Sequence, residues 1–127
     1  MRTFKKTPSP YTVRVFFCYH AVMNTITSVE AHDVLQNGEA IVLDVRTARE
    51  YASGHIQNAQ NIDFYGPGFE NKIKKLDTEK SYVVNCLSGG RSGKTVALME
   101  SFGFKNVKNL VGGITAWKNQ QLPVVTE

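Results

Sequence analysis

The sequence predicts an α/β domain built on a largely parallel sheet. Three observations carry this. From Asn24 onward, short β-rich runs alternate with helix-like runs. Two of the β-rich runs, Ala40-Ile41-Val42-Leu43-Asp44-Val45 and Ser81-Tyr82-Val83-Val84-Asn85, have unbroken apolar centres. Such runs suit strands covered on both faces. The chain has 127 residues, which is one domain by length and enough to bury a core.

The elements follow in order. Ile26-Thr27 reads as a short strand. Ser28 reads as the N-cap of a helix to about Gln36, with Val29, Ala31, His32 and Leu35 on one face, and Asn37-Gly38 stops it. Ala40 to Val45 is the first strong strand. Thr47-Ala48-Arg49-Glu50 is a capping box opening a short helix that Ser53-Gly54 closes. Ala59 to Ile62 is a short strand, Gly66-Pro67-Gly68 a turn, and Phe69 to Lys75 a helix. Ser81 to Asn85 is the second strong strand. Ser92 opens a helix through about Phe102, burying Val96, Leu98, Met99 and Phe102, and Gly103 stops it. Asn106 to Val111 is the last strand. Gly112-Gly113 breaks it, Ile114 to Asn119 is a helix around Trp117, and Pro123 lies in the tail.

Composition excludes several classes. The hydrophobic fraction of 42% and charged fraction of 20% fit a globular protein. No apolar run approaches the roughly 20 residues that span a membrane. The net charge of +4 comes from the N-terminal segment, where Arg2, Lys5, Lys6 and Arg14 precede the first acid, Glu30. No basic face with interleaved aromatics points to nucleic acid. Cys18 and Cys86 are too few for a disulfide framework, and no Cys/His spacing suggests zinc. Residues 1–23 form a basic and apolar segment. It reads as a flexible tail or a targeting remnant, with residues 24–127 as the domain proper. The expected compartment is the cytoplasm, or the periplasm or exterior if that segment is a signal.

Chemistry concentrates on the loop Cys86-Leu87-Ser88-Gly89-Gly90-Arg91 and the following Ser92. Ligand sites in open α/β sheets lie beyond the carboxyl ends of the strands, where Cys86 falls. A loop curled between a strand and a helix start turns backbone N–H groups inward. Gly89 and Gly90 permit that curl. Arg91 adds a permanent charge and a planar fork suited to oxyanions. The N–H dipoles and Arg91 should favour the thiolate, placing Cys86 below the free-thiol value of about 8.5. A thiolate there is a nucleophile.

Asp44-Val45-Arg46, Glu50-Tyr51, Gly54-His55-Ile56, Ala59-x-Asn61-Ile62, the Cys86–Arg91 loop with Ser92, and Gly112-Gly113-x-x-x-Trp117 occur in this order. In these pieces, from about Thr27 to Val125, the chain resembles the rhodanese-like domain family, of the single-domain thiosulfate sulfurtransferase type. The resemblance implies a five-stranded, mostly parallel sheet flanked by helices on both faces, and a persulfide on Cys86. It implies that Leu87, Ser88, Gly89, Gly90, Arg91 and Ser92 bind the substrate. The donor would be a small anionic sulfur compound such as thiosulfate, or a protein persulfide. The acceptor would be thiophilic: cyanide in an assay, a thiol or thioredoxin-like protein in a cell. No metal or organic cofactor is required. Four residues separate Cys86 from Arg91. Phosphatases that share this fold carry a loop one residue longer, so a phosphatase or arsenate reductase is the weaker reading. A sulfur-relay or protein-binding module that does not turn over is the main alternative.

Other polar residues read as structural. Asp44 and Arg46 are expected to form a network supporting the loops, and His55 to be a satisfied core histidine. His20 and His32 show no partner pattern. Lys72, Lys74 and Lys75 form a solvated helix face. Lys94 reads first as solvated surface, with steering of anions as the lesser reading, and the context of Cys18 makes it a poor candidate for a resolving thiol.

Overall fold

A computed structural model describes residues 24–126. The readings of residues 1–23, Cys18 and His20 among them, lie outside the described residues. The elements alternate strictly: β1 (Thr25–Ile26), α1 (Ser28–Gln36), β2 (Ile41–Asp44), α2 (Ala48–Ala52), β3 (Gln60–Asn61), α3 (Phe69–Lys74), β4 (Ser81–Asn85), α4 (Gly90–Ser101), β5 (Asn106–Leu110) and α5 (Gly113–Asn119). They form one five-stranded sheet in the order β1-β5-β4-β2-β3, with every strand pairing parallel.

The two apolar runs become the central neighbours β2 and β4, as their composition demands. Their side chains alternate between two core layers. Leu43, Val45, Tyr82 and Val84 pack with Ile73 of α3 and with Val96 and Met99 of α4. Val42 and Val83 face the other side, with Ala31 of α1 and with Ile114 and Trp117 of α5. The sheet is therefore covered on both faces, which explains why its centre tolerates no solvent-facing polar residue.

Four local expectations are corrected. Thr27, not Ser28, caps α1: its Oγ1 accepts from the Glu30 N–H at 3.2 Å, and its own N–H donates to Glu30 Oε1 at 3.0 Å. Thr27 is thus spent on the cap, and β1 ends one residue earlier, at Ile26. Ser28 enters the first turn and is buried. Val29 is 60% exposed, so it does not share the buried face with Ala31. Helix α4 begins at Gly90, after Gly89 takes a left-handed conformation (φ +116°), so Arg91 and Ser92 both lie in its first turn.

The polar network at the end of β2 forms as expected. Arg46 and Asp44 are both buried and meet at 2.8 Å. Arg46 also donates to the Gly54 carbonyl, and Asn61 Nδ2 donates to the carbonyls of Asp44 and Arg46. His55 is buried, stacked on the Tyr51 ring at 3.7 Å between centroids, with Nδ1 2.8 Å from the Tyr51 carbonyl. Removing the carboxylate leaves a guanidinium uncompensated in the core, and breaking such a pair costs about 3–5 kcal/mol. Asp44→Ala is therefore expected to lose roughly that much stability, read from the urea midpoint at constant slope.

Candidate active site

Cys86 follows β4 directly, and its backbone is held from behind by α5. The Cys86 carbonyl accepts from Ile114 N–H at 2.9 Å, and the Leu87 carbonyl from Thr115 N–H at 3.2 Å. Only glycine fits at the approach. Gly113 has φ +58°, and a Cβ there would lie 2.5 Å from both of those carbonyl oxygens. With its carbonyls tied to α5, the loop is free to turn N–H groups toward the sulfur. Gly89 N–H donates to Sγ at 3.0 Å. Ser92 Oγ lies 3.2 Å from Sγ on the helix side.

The Cys86 residue is only 1% exposed. Burial is the largest influence on the thiol and pushes its pKa up. The Ser92 hydroxyl and the N–H groups of Ser92, Gly89 and Ser88 pull the other way and together win, so the thiol lies below its ordinary value. The direction agrees with expectation, and Arg91 acts on the sulfur through its charge rather than through a hydrogen bond. Arg91 is turned away to Glu50 in a two-pronged pair, with Nη1–Oε1 at 2.8 Å and Nη2–Oε2 at 3.0 Å. The hydrogen bond from Arg91 is the main cause holding Glu50 at about 2, against the effect of its partial burial and with help from Thr47. Glu50 also caps α2 through Thr47. One carboxylate thus fixes the start of α2 to the start of α4.

Cys86 shares an open cleft of about 360 Å³ with Leu87, Ser88, Gly90, Arg91 and Lys94, and with Phe64 and Tyr65 of the β3–α3 connection. Of the expected substrate-binding residues, Leu87, Ser88, Gly90 and Arg91 therefore line the cleft. Gly89 and Ser92 instead hold the sulfur. Lys94 is exposed on the same cleft. The Tyr65 ring lies under the Arg91 guanidinium, 5.9 Å from its centroid. Other cavities lie elsewhere on the domain, such as one at the opposite end of the sheet around Glu39, Ala40 and Ser81. They hold no comparable nucleophile. Among the described residues, no group of His, Cys, Asp and Glu side chains could hold a metal ion. Among the same residues, no helix is long and apolar enough to cross a membrane.

Sequence reasoning missed Asn109 and the second duty of Glu50. Asn109 Oδ1 accepts from Ser92 Oγ at 2.5 Å, and its Nδ2 donates to the Gly89 carbonyl at 3.3 Å. A signal was present: Asn109 lies two residues after the core residue Val107 on β5 and so shares its face, on a strand paired on both sides. A polar residue on such a face needs a built partner. Glu50 gave no such sign, because its role as a cap already accounted for it.

The arrangement stabilises negative charge on one sulfur atom and opens it to a small cleft. A family model described as the rhodanese-like domain matches residues 27–120. The chain belongs to the rhodanese-like domain family. It is 34% identical to thiosulfate sulfurtransferase 16, chloroplastic, of Arabidopsis thaliana, over 80% of this chain and 92% of that one. It is 33% identical to the thiosulfate sulfurtransferase GlpE of Pseudomonas fluorescens, over 70% of this chain and 80% of that one. A crystal structure of a rhodanese-related protein from Thermoplasma volcanium superimposes with a TM-score of 0.75 at 32% identity, over 82% of this chain and 99% of that one.

Within this rhodanese-like domain, removing one donor to the sulfur should weaken the thiolate. Ser92→Ala is expected to move the pH midpoint of Cys86 alkylation upward and to slow alkylation at neutral pH. Peptide mapping after iodoacetamide labelling across a pH series measures this. The Glu50–Arg91 pair makes a second prediction. Because the folded value of Glu50 is about 2 against an ordinary 4.5, its contribution is present above pH 4.5 and fades as pH falls toward 2. Glu50→Gln should flatten that part of the acid-unfolding curve followed by circular dichroism. The pair is partly exposed, so the effect is modest.

Proposed function

We propose that the protein is a sulfurtransferase that takes sulfane sulfur from thiosulfate onto Cys86 and passes it to a thiophilic acceptor. The single observation that carries this reading is the sulfur itself. Sγ receives the Gly89 N–H at 3.0 Å and lies 3.2 Å from the Ser92 hydroxyl, at the floor of a small cleft. Curated relatives named thiosulfate sulfurtransferase cover most of the chain and support it.

The reaction has two displacements. The Cys86 thiolate attacks the outer sulfur of thiosulfate. The sulfur–sulfur bond of the donor breaks, and sulfite leaves with the bonding pair. Cys86 now carries a persulfide. An acceptor such as cyanide or a thiolate then attacks the outer sulfur of the persulfide. The new sulfur–sulfur bond breaks, and the electron pair returns to Sγ as thiolate. Neither step moves a proton in the bond-making event when both nucleophiles arrive ionised. The loop's N–H donors stabilise the charge wherever it rests on Sγ, in the manner of an oxyanion hole. Lys94 supplies exposed positive charge to attract a dianion, a role that Arg91 fills less well while it is tied to Glu50.

Thiocyanate formation from thiosulfate and cyanide tests the proposal. The wild-type protein should release thiocyanate with two-step, ping-pong kinetics. Cys86→Ser should fall to background, and an aryl phosphate should not be hydrolysed. Phosphate hydrolysis without thiocyanate release would overturn the sulfur reading. A stable persulfide with negligible turnover would turn it into a relay protein whose acceptor is another protein.

A further inference from the structure

We propose that Asn109 is a positioning residue that decides where the Ser92 hydroxyl proton points, and through it how readily Cys86 gives up its own proton.

A serine hydroxyl carries one proton and can donate only once. Ser92 Oγ lies between two acceptors, Cys86 Sγ at 3.2 Å and Asn109 Oδ1 at 2.5 Å. The amide of Asn109 cannot turn round to relieve the competition. Its Nδ2 serves the Gly89 carbonyl, and a flip would set two oxygens face to face. Asn109 therefore presents a fixed acceptor to Ser92.

The two charge states of Cys86 use this chain differently. In the thiol, S–H donates to Ser92 Oγ, and Ser92 donates to Asn109, so every group is satisfied. In the thiolate, the sulfur needs the Ser92 proton, and giving it leaves Asn109 Oδ1 without a donor. Asn109 is partly buried, and an acceptor that loses its donor there costs free energy. Asn109 thus opposes ionisation, while Ser92 and the loop N–H groups favour it. The opposition has a use. Thiolate nucleophilicity declines as its basicity declines, so the best attacking thiol titrates near ambient pH rather than far below it. The charged or titratable groups that share the neighbourhood are Arg91 and Lys94 on α4, Glu50 on α2 and Tyr65 on the β3–α3 connection. The Asp44–Arg46 pair lies at the end of β2, beside Asn85. Asn109 is the group from β5 that meets the chain, and it is uncharged. The inference concerns the thiol alone and stands whatever the sulfur donor is.

The test is the pH midpoint of Cys86 alkylation by iodoacetamide, read on the Cys86 peptide so that Cys18 does not contribute. Asn109→Leu frees the Ser92 proton for the sulfur, and the midpoint should fall by about one pH unit, the size of one hydrogen bond to a charged group. Ser92→Ala should raise it. In the Ser92→Ala background, Asn109→Leu should change nothing, because Asn109 acts only through Ser92. Asn109→Ala is measured alongside, and thermal melting establishes that each variant is folded. An equal shift from Asn109→Leu with and without Ser92 overturns the proposal, and so does an upward or absent shift in the Ser92 protein. Loosening of the Gly89 anchor alone would act in both backgrounds and is thereby told apart.

Discussion

A sulfur atom that is almost wholly covered resists charge, and the proposed chemistry needs this one to carry it. The rest of the site is arranged around that conflict. Burial pushes the Cys86 thiol up, and donors aimed at Sγ bring it down. Those donors are the Ser92 hydroxyl at the start of α4 and backbone N–H groups of the loop, whose carbonyls are anchored elsewhere. Helix α5 is the anchor, binding the carbonyls of Cys86 and Leu87. Gly113 permits the approach, since any side chain there would meet both carbonyl oxygens. A left-handed Gly89 then turns the chain into α4 and places Ser92 beside the sulfur.

Seen from the sheet, β4 is the lever. It lies between β5 and β2, so the residue after its end is surrounded by the ends of its neighbours. From β5 comes Asn109, which ties both Ser92 and Gly89. From β2 comes the buried Asp44–Arg46 pair, which stitches the Gly54 and Asn61 segments together without touching the sulfur. Helix α2 contributes Glu50, and with it the position of Arg91. The most conspicuous cation of the loop is thereby a strut as well as part of the cleft wall. Lys94, one helical turn from Gly90, is left as the exposed cation of the cleft.

The strand–glycine loop–helix pattern around Cys86 made the candidate site legible, because it needs only neighbouring residues. The apolar runs of β2 and β4 and the capping box at Thr47 were legible for the same reason. The cap of α1 was misplaced by one residue because Thr27 and Ser28 are both competent caps, and the reciprocal bond to Glu30 selects Thr27. The role of Arg91 was not legible. Its partner lies 41 residues away in the chain, and no local spacing reports a contact of that length. Asn109 is similar, 17 residues from Ser92, although its polar side chain on a core face was a sign that something had to meet it. Local rules thus located the sulfur and its loop, while the groups that surround it came from other strands and helices.

Peptide-level mass spectrometry after incubation with thiosulfate tests the central claim most directly, namely that this sulfur is held as a thiolate in order to receive another. The peptide containing Cys86 should gain one sulfur atom and lose it again on adding cyanide. An unmodified Cys86 under conditions where iodoacetamide alkylates it, or added sulfur found only on Cys18, would contradict the claim.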